Sequence, residues 1–379
     1  MKLKPFLLEE WLERYEHSAK YNLAASTGPA WTLSQMLELM TPDEKERLFE
    51  TPLSYCPATG YESLRHEVAS MYGARDEEIQ IVTGASEALH ALFFEAAGSG
   101  TGSRPQANVI LSRPAYPPMV AIPDALGLEL RYYELRHERG FRFDVEEIAG
   151  LIDAQTRLIL INSPHNPTGA VASEEDIEAV AAVAQDRGVR LVVDEVYHPI
   201  YTGARARHRS AAEYTHATVL GDFSKAFSLS GLRIGWILER DKERRKALWN
   251  SHATFTISTN FPGELLAEVA TRHRETIFAR ARDVAQKNLA VLDQLFDAHA
   301  STVEWVRPTG GMTGFPRLLV SEDARPTCEE AARRSVVLGP GDCFGFPAHF
   351  RIGFGAQADG YDKAIEILSD VLEHARRVA

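Results

Sequence analysis

A lysine becomes an amine nucleophile when its ammonium group is stripped of water, and Lys225 stands in a setting that can do this. It follows the short β-branched run Thr218–Gly221, lies among Phe223, Phe227 and small residues, and has Arg233 close behind. Such a lysine attacks a carbonyl carbon to form a Schiff base; the competing reading of a lysine after a strand is a solvated surface cation. Asp194 ends another apolar run, Val189–Val193, so its carboxylate falls at a strand's carboxyl edge, where it either serves a site or caps a helix.

These residues need a frame, and the middle of the chain supplies one. Apolar runs near Ile79–Thr83, Val109–Ser112, Leu158–Asn162, Val189–Asp194, Thr218–Gly221 and Ile234–Leu238 alternate with amphipathic stretches, the pattern of parallel strands joined by helices. One unit is well specified. Ser173 with Asp176 makes a capping box variant, Ile177, Val180, Ala181 and Ala184 form one helical face, and Gly188 stops the helix. Ligands of such a sheet are expected at the carboxyl ends of its strands. A long helical stretch from Glu275 to Ala300 is expected to hinge a large domain over 45–274 to a small α+β domain built from 1–44 and 275–379. The first segment carries an amphipathic helix (Phe6, Leu7, Trp11, Leu12). Gly98–Asn108 reads as an exposed loop, since its glycines lack the lysine and following helix of a phosphate-binding P-loop.

Composition narrows the partners. The 379 residues are 45% hydrophobic and 25% charged, ordinary for a globular chain of two or three domains, and the formal net charge is −12. An acidic surface does not concentrate on a phosphate backbone, so nucleic acid is not expected as a partner. No apolar run approaches the ~20 residues that cross a bilayer, and no membrane association is expected. Cys56, Cys328 and Cys343 form no disulfide framework or zinc-ligand spacing, and the thirteen histidines show none either, so no metal site and a reducing cytoplasm are expected.

The segment Gly221-Asp222-Phe223-Ser224-Lys225, followed by Gly231-Leu232-Arg233-Ile234-Gly235, resembles the active-site lysine motif of fold-type-I pyridoxal-phosphate enzymes of the aminotransferase class I/II family, aspartate aminotransferase among them. Five further segments match in the family's order: Tyr55-Cys56-Pro57-Ala58-Thr59-Gly60 with Leu64-Arg65, Thr83-Gly84-Ala85-Ser86-Glu87-Ala88-Leu89, Asn166-Pro167-Thr168-Gly169, Asp194-Glu195-Val196-Tyr197 and Phe350-Arg351-Ile352-Gly353-Phe354. The resemblance implies pyridoxal 5′-phosphate as cofactor, bound as a Schiff base to Lys225. Asp194 would pair with the pyridinium nitrogen, Tyr197 and Asn166 with the phenolic oxygen, and Tyr116 would stack on the ring. Ala85 and Ser86 open a helix whose free N–H groups suit a phosphate dianion, with Ser224 and Arg233 beside it. Tyr55 would reach the phosphate of the neighbouring subunit, which implies a homodimer. Arg351 would clamp the substrate's α-carboxylate. The implied reaction moves an amino group between an α-amino acid and an α-keto acid, with Lys225 as general base and acid.

The match breaks in three places. Asp222 stands where the family usually has a Ser or Thr touching the phosphate, so it is expected either to point elsewhere or to alter the cofactor's electronics. Asn22–Gly28 lacks the Gly-x-Pro turn that many members place over the substrate. His165 replaces the more frequent Asn before Asn166, a mild change. The N-terminal helix and the stretch Leu338–Gly345 are similar to the branch holding arginine-modifying enzymes such as capreomycidine synthases, so a cyclase, lyase or oxidase is the alternative reaction. The polar groups that arginine oxidases use at the N-terminus appear here as Ala25 and Thr27. A non-catalytic regulator is disfavoured by the presence of Lys225, Asp194 and Arg351.

Overall fold

The central sheet has seven strands in the order Ile79–Val82, Gly235–Leu238, Thr218–Asp222, Arg190–Asp194, Thr156–Asn162, Asn108–Arg113 and Glu129–Glu134. Six run parallel, and Gly235–Leu238 is antiparallel to both of its neighbours. This computed structural model describes residues 2–98, 106–205 and 207–378, so most of the expected loop over Gly98–Asn108 lies outside the described residues. Arg190–Asp194 and Thr218–Asp222 are buried at every position, which explains why they read as unbroken apolar runs. The strand Glu129–Glu134 escapes the sequence pattern. It carries Glu129, Arg131 and Glu134 because it is the edge strand and only half covered.

Helices cover both faces. Helix Glu174–Asp186 begins at the Ser173 cap, with the capping box to Asp176 formed, and buries Ile177, Val180 and Ala184 as the spacing predicts. The N-terminal helix spans Leu7–Tyr15, but its buried face is Leu8 and Trp11, not Leu7, which is 44% exposed. Leu8, Trp11, Leu12 and Tyr15 follow i, i+3, i+4 and i+7, and that stripe wins over the adjacent pair Phe6–Leu7.

Two hydrophobic cores meet along the helix Arg274–Ala298. Its first turns place Ile277, Phe278 and Ala281 against the core of the large sheet, and its later turns place Ala285, Leu289 and Leu292 in a second core with Trp11, Tyr21 and Phe350. Within that second body Tyr21–Asn22 pairs in parallel with Val336–Val337, and Phe350–Gly353 lies between Thr313–Gly314 and Gly339–Pro340. The chain's two ends are thus joined. Among the described residues no helix is long and apolar enough to cross a membrane.

Candidate active site

A cavity of about 370 Å³ opens at the carboxyl ends of the parallel strands. Nine of the residues singled out from sequence line it: Ala85, Ser86, Tyr116, Asn166, Asp194, Tyr197, Ser224, Lys225 and Arg233. Eight of them arrive on five different strand exits and Arg233 at the entry of the antiparallel strand Gly235–Leu238, which is why they are scattered over 149 positions of sequence. Arg351 joins them from the strand Phe350–Gly353, donating from Nη1 to Asn166 Oδ1 at 3.1 Å. Tyr55 does not. It is 77% exposed on the surface of this chain.

Burial sets the electrostatics of the cavity floor. Lys225 Nζ donates to Ser26 Oγ at 3.2 Å, and desolvation holds its pKa below the ordinary lysine value, against the pull of Asp222 and with the help of Arg351 and Arg233. A larger fraction of neutral amine is therefore present than on a surface lysine. Asp194 accepts one backbone N–H, from Val196 at 3.1 Å, and burial pushes its pKa up to about 7. Desolvation likewise raises the Tyr197 phenol, whose hydroxyl is buried without a hydrogen bond of normal geometry, although the Ser26 hydroxyl is close enough to offset part of that rise.

Arg351 is 2% exposed, and its desolvated guanidinium has a lowered pKa. Its Nη2 donates to Ala24 O at 2.6 Å, its Nε has no partner, and among the described residues none of its hydrogen bonds goes to a carboxylate. A buried cation so placed suits an incoming anion. At the far end Arg233 donates from Nη1 to Ser224 Oγ at 3.3 Å and to Ser230 O at 3.1 Å. Gly84 sits beside it at φ +75°, and a Cβ there would fall 2.5 Å from Arg233 Nη2, so glycine is what lets the guanidinium reach the start of helix Gly84–Gly98.

Asp222 does not point elsewhere. Its Oδ1 accepts from Ser224 N at 2.9 Å and its Oδ2 from Ala85 N at 3.5 Å, so the carboxylate lines the cavity and faces the helix start that a phosphate would use. The physical reason is local, since two free N–H groups attract it there. His165 packs inside the loop that carries Asn166. It is buried, bonded to Ser112 Oγ at 3.1 Å and Thr168 Oγ1 at 2.8 Å, and pushed down to about 3 by burial, so it braces the loop as a neutral ring.

Three contributors were not singled out from sequence. Ser26 lies between Ala25 and Thr27 and bonds the lysine. Asn162 donates to Asp194 O at 3.1 Å and accepts from Asn166 N at 2.8 Å; it is the register partner of Asp194 on the next strand, a signal the strand ends did carry. Glu9, with Phe6, brings the N-terminal helix to the cavity wall.

These residues fit pyridoxal 5′-phosphate on their own chemistry: a desolvated amine for its aldehyde, a carboxyl whose raised pKa a ring N–H⁺ would relieve, an unpartnered phenol for its phenolic oxygen, and a guanidinium at a helix start for its phosphate. Comparison with known proteins agrees. Residues 29–368 match the model of the family described as aminotransferase class I and II. The chain is 27% identical to capreomycidine synthase of Streptomyces vinaceus, covering 97% of this chain and 94% of that protein, and 29% identical to a probable aspartate/prephenate aminotransferase of Thermus aquaticus, covering 87% and 86%. Among solved structures it is similar to a PLP-dependent aminotransferase of Streptococcus suis 89-1591 (TM-score 0.90, 29% identity, 99% of both chains covered). A second is the PLP-dependent cyclase OrfR (TM-score 0.87, 25% identity, 99% and 98% covered).

Proposed function

The chain belongs to the aminotransferase class I and II family of fold-type-I, pyridoxal-phosphate-dependent enzymes, and on that premise we propose how its residues divide the transfer of an amino group between an α-amino acid and an α-keto acid. When bound, pyridoxal 5′-phosphate supplies an electron sink for negative charge at the substrate's Cα. Lys225 would hold the group at its aldehyde. Lys225 Nζ is also the base placed to move the substrate's Cα proton, and desolvation favours the neutral form that this requires. Asp194 would keep the ring nitrogen protonated, Tyr197 and Asn166 would hydrogen-bond the phenolic oxygen, Tyr116 would stack on the ring, and Ala85, Ser86, Ser224 and Arg233 would hold the phosphate. Arg351 would clamp the substrate's α-carboxylate as a bidentate pair, which fixes the orientation of the Cα–H bond.

The observation that carries this reading is the convergence of Lys225, Asp194, Tyr197 and Arg233 on one cavity. The remaining assignments rest on the resemblance. The working unit is a cytoplasmic homodimer in which Tyr55 reaches the partner's phosphate site. The large domain covers 45–274, and 1–44 with 275–379 form the small one; the second core, holding Trp11, Tyr21, Leu289 and Phe350, supports that division, while Leu8, Met36, Met40 and Phe315 of the small one pack into the core of the large sheet. The test is single-turnover chemistry. Purified enzyme should be yellow, borohydride should fix the cofactor to Lys225, and Lys225→Ala should abolish both the adduct and turnover. Mixed with one amino acid and no keto acid, the enzyme should convert to the amine form of its cofactor. A protein that cannot be reconstituted with pyridoxal 5′-phosphate ends the reading.

A second reading, a cyclase, lyase or oxidase acting on an arginine-like amino acid, is favoured by Glu9. Its carboxylate lines the same cavity, where it would receive a cationic side chain, and the likeness to capreomycidine synthase and to the cyclase OrfR points the same way. The same mixing experiment separates the two. Oxygen uptake, ammonia release or a cyclic product from arginine, without the amine form accumulating, supports the second.

A further inference from the structure

A second cavity, of about 520 Å³, opens between the end of helix Glu62–Tyr72, the residues 198–205 and 207–209, and the first turns of helix Arg274–Ala298. It shares no lining residue with the cavity of Lys225. Five arginines line it: Arg205, Arg207, Arg209, Arg274 and Arg282. Glu174 accepts from both Arg205 Nη2 at 2.7 Å and Arg209 Nη2 at 2.8 Å, so its single charge offsets one of the two. Among the described residues Arg207, Arg274 and Arg282 enter no ion pair; Arg274 donates to the backbone at Thr271 O, 3.1 Å away. Glu213, which accepts from Ser210 N at 2.8 Å, and Glu275 are the other acids in the wall, so five arginines face three carboxylates.

That excess matters because the chain as a whole is acidic, with a net charge of −12. Like charges gathered in a concave wall repel one another unless an anion sits among them, and the low-dielectric walls focus their field. Arg274 and Arg282 are half-buried, so water screens them less than it screens the ordinary surface cation. The cavity's floor is of a different kind. Phe227, Trp236 and Phe278 form it, with Phe227 packed edge-on at 4.7 Å from Phe278 and 6.3 Å from Trp236. These rings stand at 62° and 84° to that of Phe227, so forked donors around an aromatic base suit a ligand whose ring meets that base edge to face and whose anionic group can accept two parallel N–H bonds. We propose that this cleft is a second ligand site, for a small planar organic anion held by Arg207, Arg274 and Arg282 above the aromatic floor.

The site is wired to the lysine segment by packing alone. Phe227 and Trp236 both lean on Phe223, at 4.5 and 5.2 Å, and Phe223 and Phe227 flank Lys225 by two residues on either side. Carboxylates and phosphates share the chemistry the arginines read, so both belong in the test. The cofactor-loaded enzyme is titrated calorimetrically with benzoate, phenyl phosphate and inorganic phosphate, alongside Arg207→Ala/Arg282→Ala, Arg282→Lys and Arg351→Ala. Arg351 itself can take a carboxylate, so two saturable sites per chain are expected for benzoate; Arg351→Ala removes one, and the cleft is the one that remains, with inorganic phosphate about tenfold weaker there because it gains nothing from the floor. At the cleft the arginine pair should lose about tenfold or more in affinity with turnover in the absence of aryl anion unchanged, Arg282→Lys should lie between, and Arg351→Ala should bind as wild type. The proposal is overturned if none of the three anions binds saturably. It is also overturned if Arg351→Ala abolishes binding while the arginine pair keeps it, because the anion then occupies the catalytic cavity.

Discussion

Asp194 accepts a single backbone hydrogen bond in full burial, and its carboxyl titrates at about 7 rather than near the ~4 of an exposed aspartate. Without cofactor, the folded chain therefore binds more protons than the unfolded chain between those two values, so stability falls as pH rises through that window. Glu195, also pushed up to about 7 by burial, adds the same sign. Melting curves of cofactor-free protein from pH 4.5 to 7.5 should show a decline that Asp194→Asn shrinks without removing. At neutral pH that variant should be the more stable cofactor-free protein, by on the order of 1–3 kcal/mol, while losing about a hundredfold or more in turnover. A pH-independent melting temperature would remove the basis of this argument. Asp222 poses the opposite question, since its carboxylate competes with a phosphate for the Ala85 N–H. Asp222→Thr should keep a hydroxyl acceptor there, remove the repulsion, and slow cofactor loss during dialysis several-fold.

The elements that hold these residues were legible in unequal degree. Six strands were readable because both of their faces are covered, which forces continuous apolar sequence, whereas Glu129–Glu134 hid behind its charges at the edge. The strand-end residues followed the same logic, since Asp194 and Lys225 announce themselves by sitting directly after such runs. Ser26 did not, because a small polar residue reveals nothing until the chain brings it to Lys225 from 199 positions away. Arg351 and Asn166 were both found by resemblance, whereas the bond from Arg351 to Ala24 O is to a backbone atom and leaves no mark on the sequence. The N-terminal helix is the element where this matters most. Trp11 donates from Nε1 to Leu338 O at 2.8 Å and is buried, so Trp11→Ala should release the helix at a cost of about 3–5 kcal/mol in its docking. Because Glu9 and Phe6 ride on that helix, the change should raise KM for amino acids more than it lowers kcat. Equal effects on both would mean that the helix serves the chemistry directly.

For the molecule as a whole, the apolar side chains left uncovered are informative. Phe49, Leu53, Tyr55, Phe255 and Ile257 are all between 49% and 92% exposed, and Phe94 stacks edge-on against Phe255 at 5.3 Å. Such residues want a covering surface, which the proposed homodimer supplies. Leu53→Glu with Phe255→Glu should therefore give a monomer by light scattering and a large loss of turnover, whereas Tyr55→Phe should stay dimeric and release cofactor faster. A fully active monomer would refute the shared site.

The pairing of Tyr21–Asn22 with Val336–Val337, and of Trp11 with Leu338, which lies 327 positions further on, means that the earlier segment leaves the ribosome long before its partner exists. The sheet that carries Lys225 and Asp194 can assemble earlier, but the wall formed by Phe6 and Glu9 and the clamp between Arg351 and Ala24 cannot. A nascent chain can thus present its cofactor cradle while still unable to grip an amino acid, so chemistry is deferred until the segment from Val336 to Arg351 has been made.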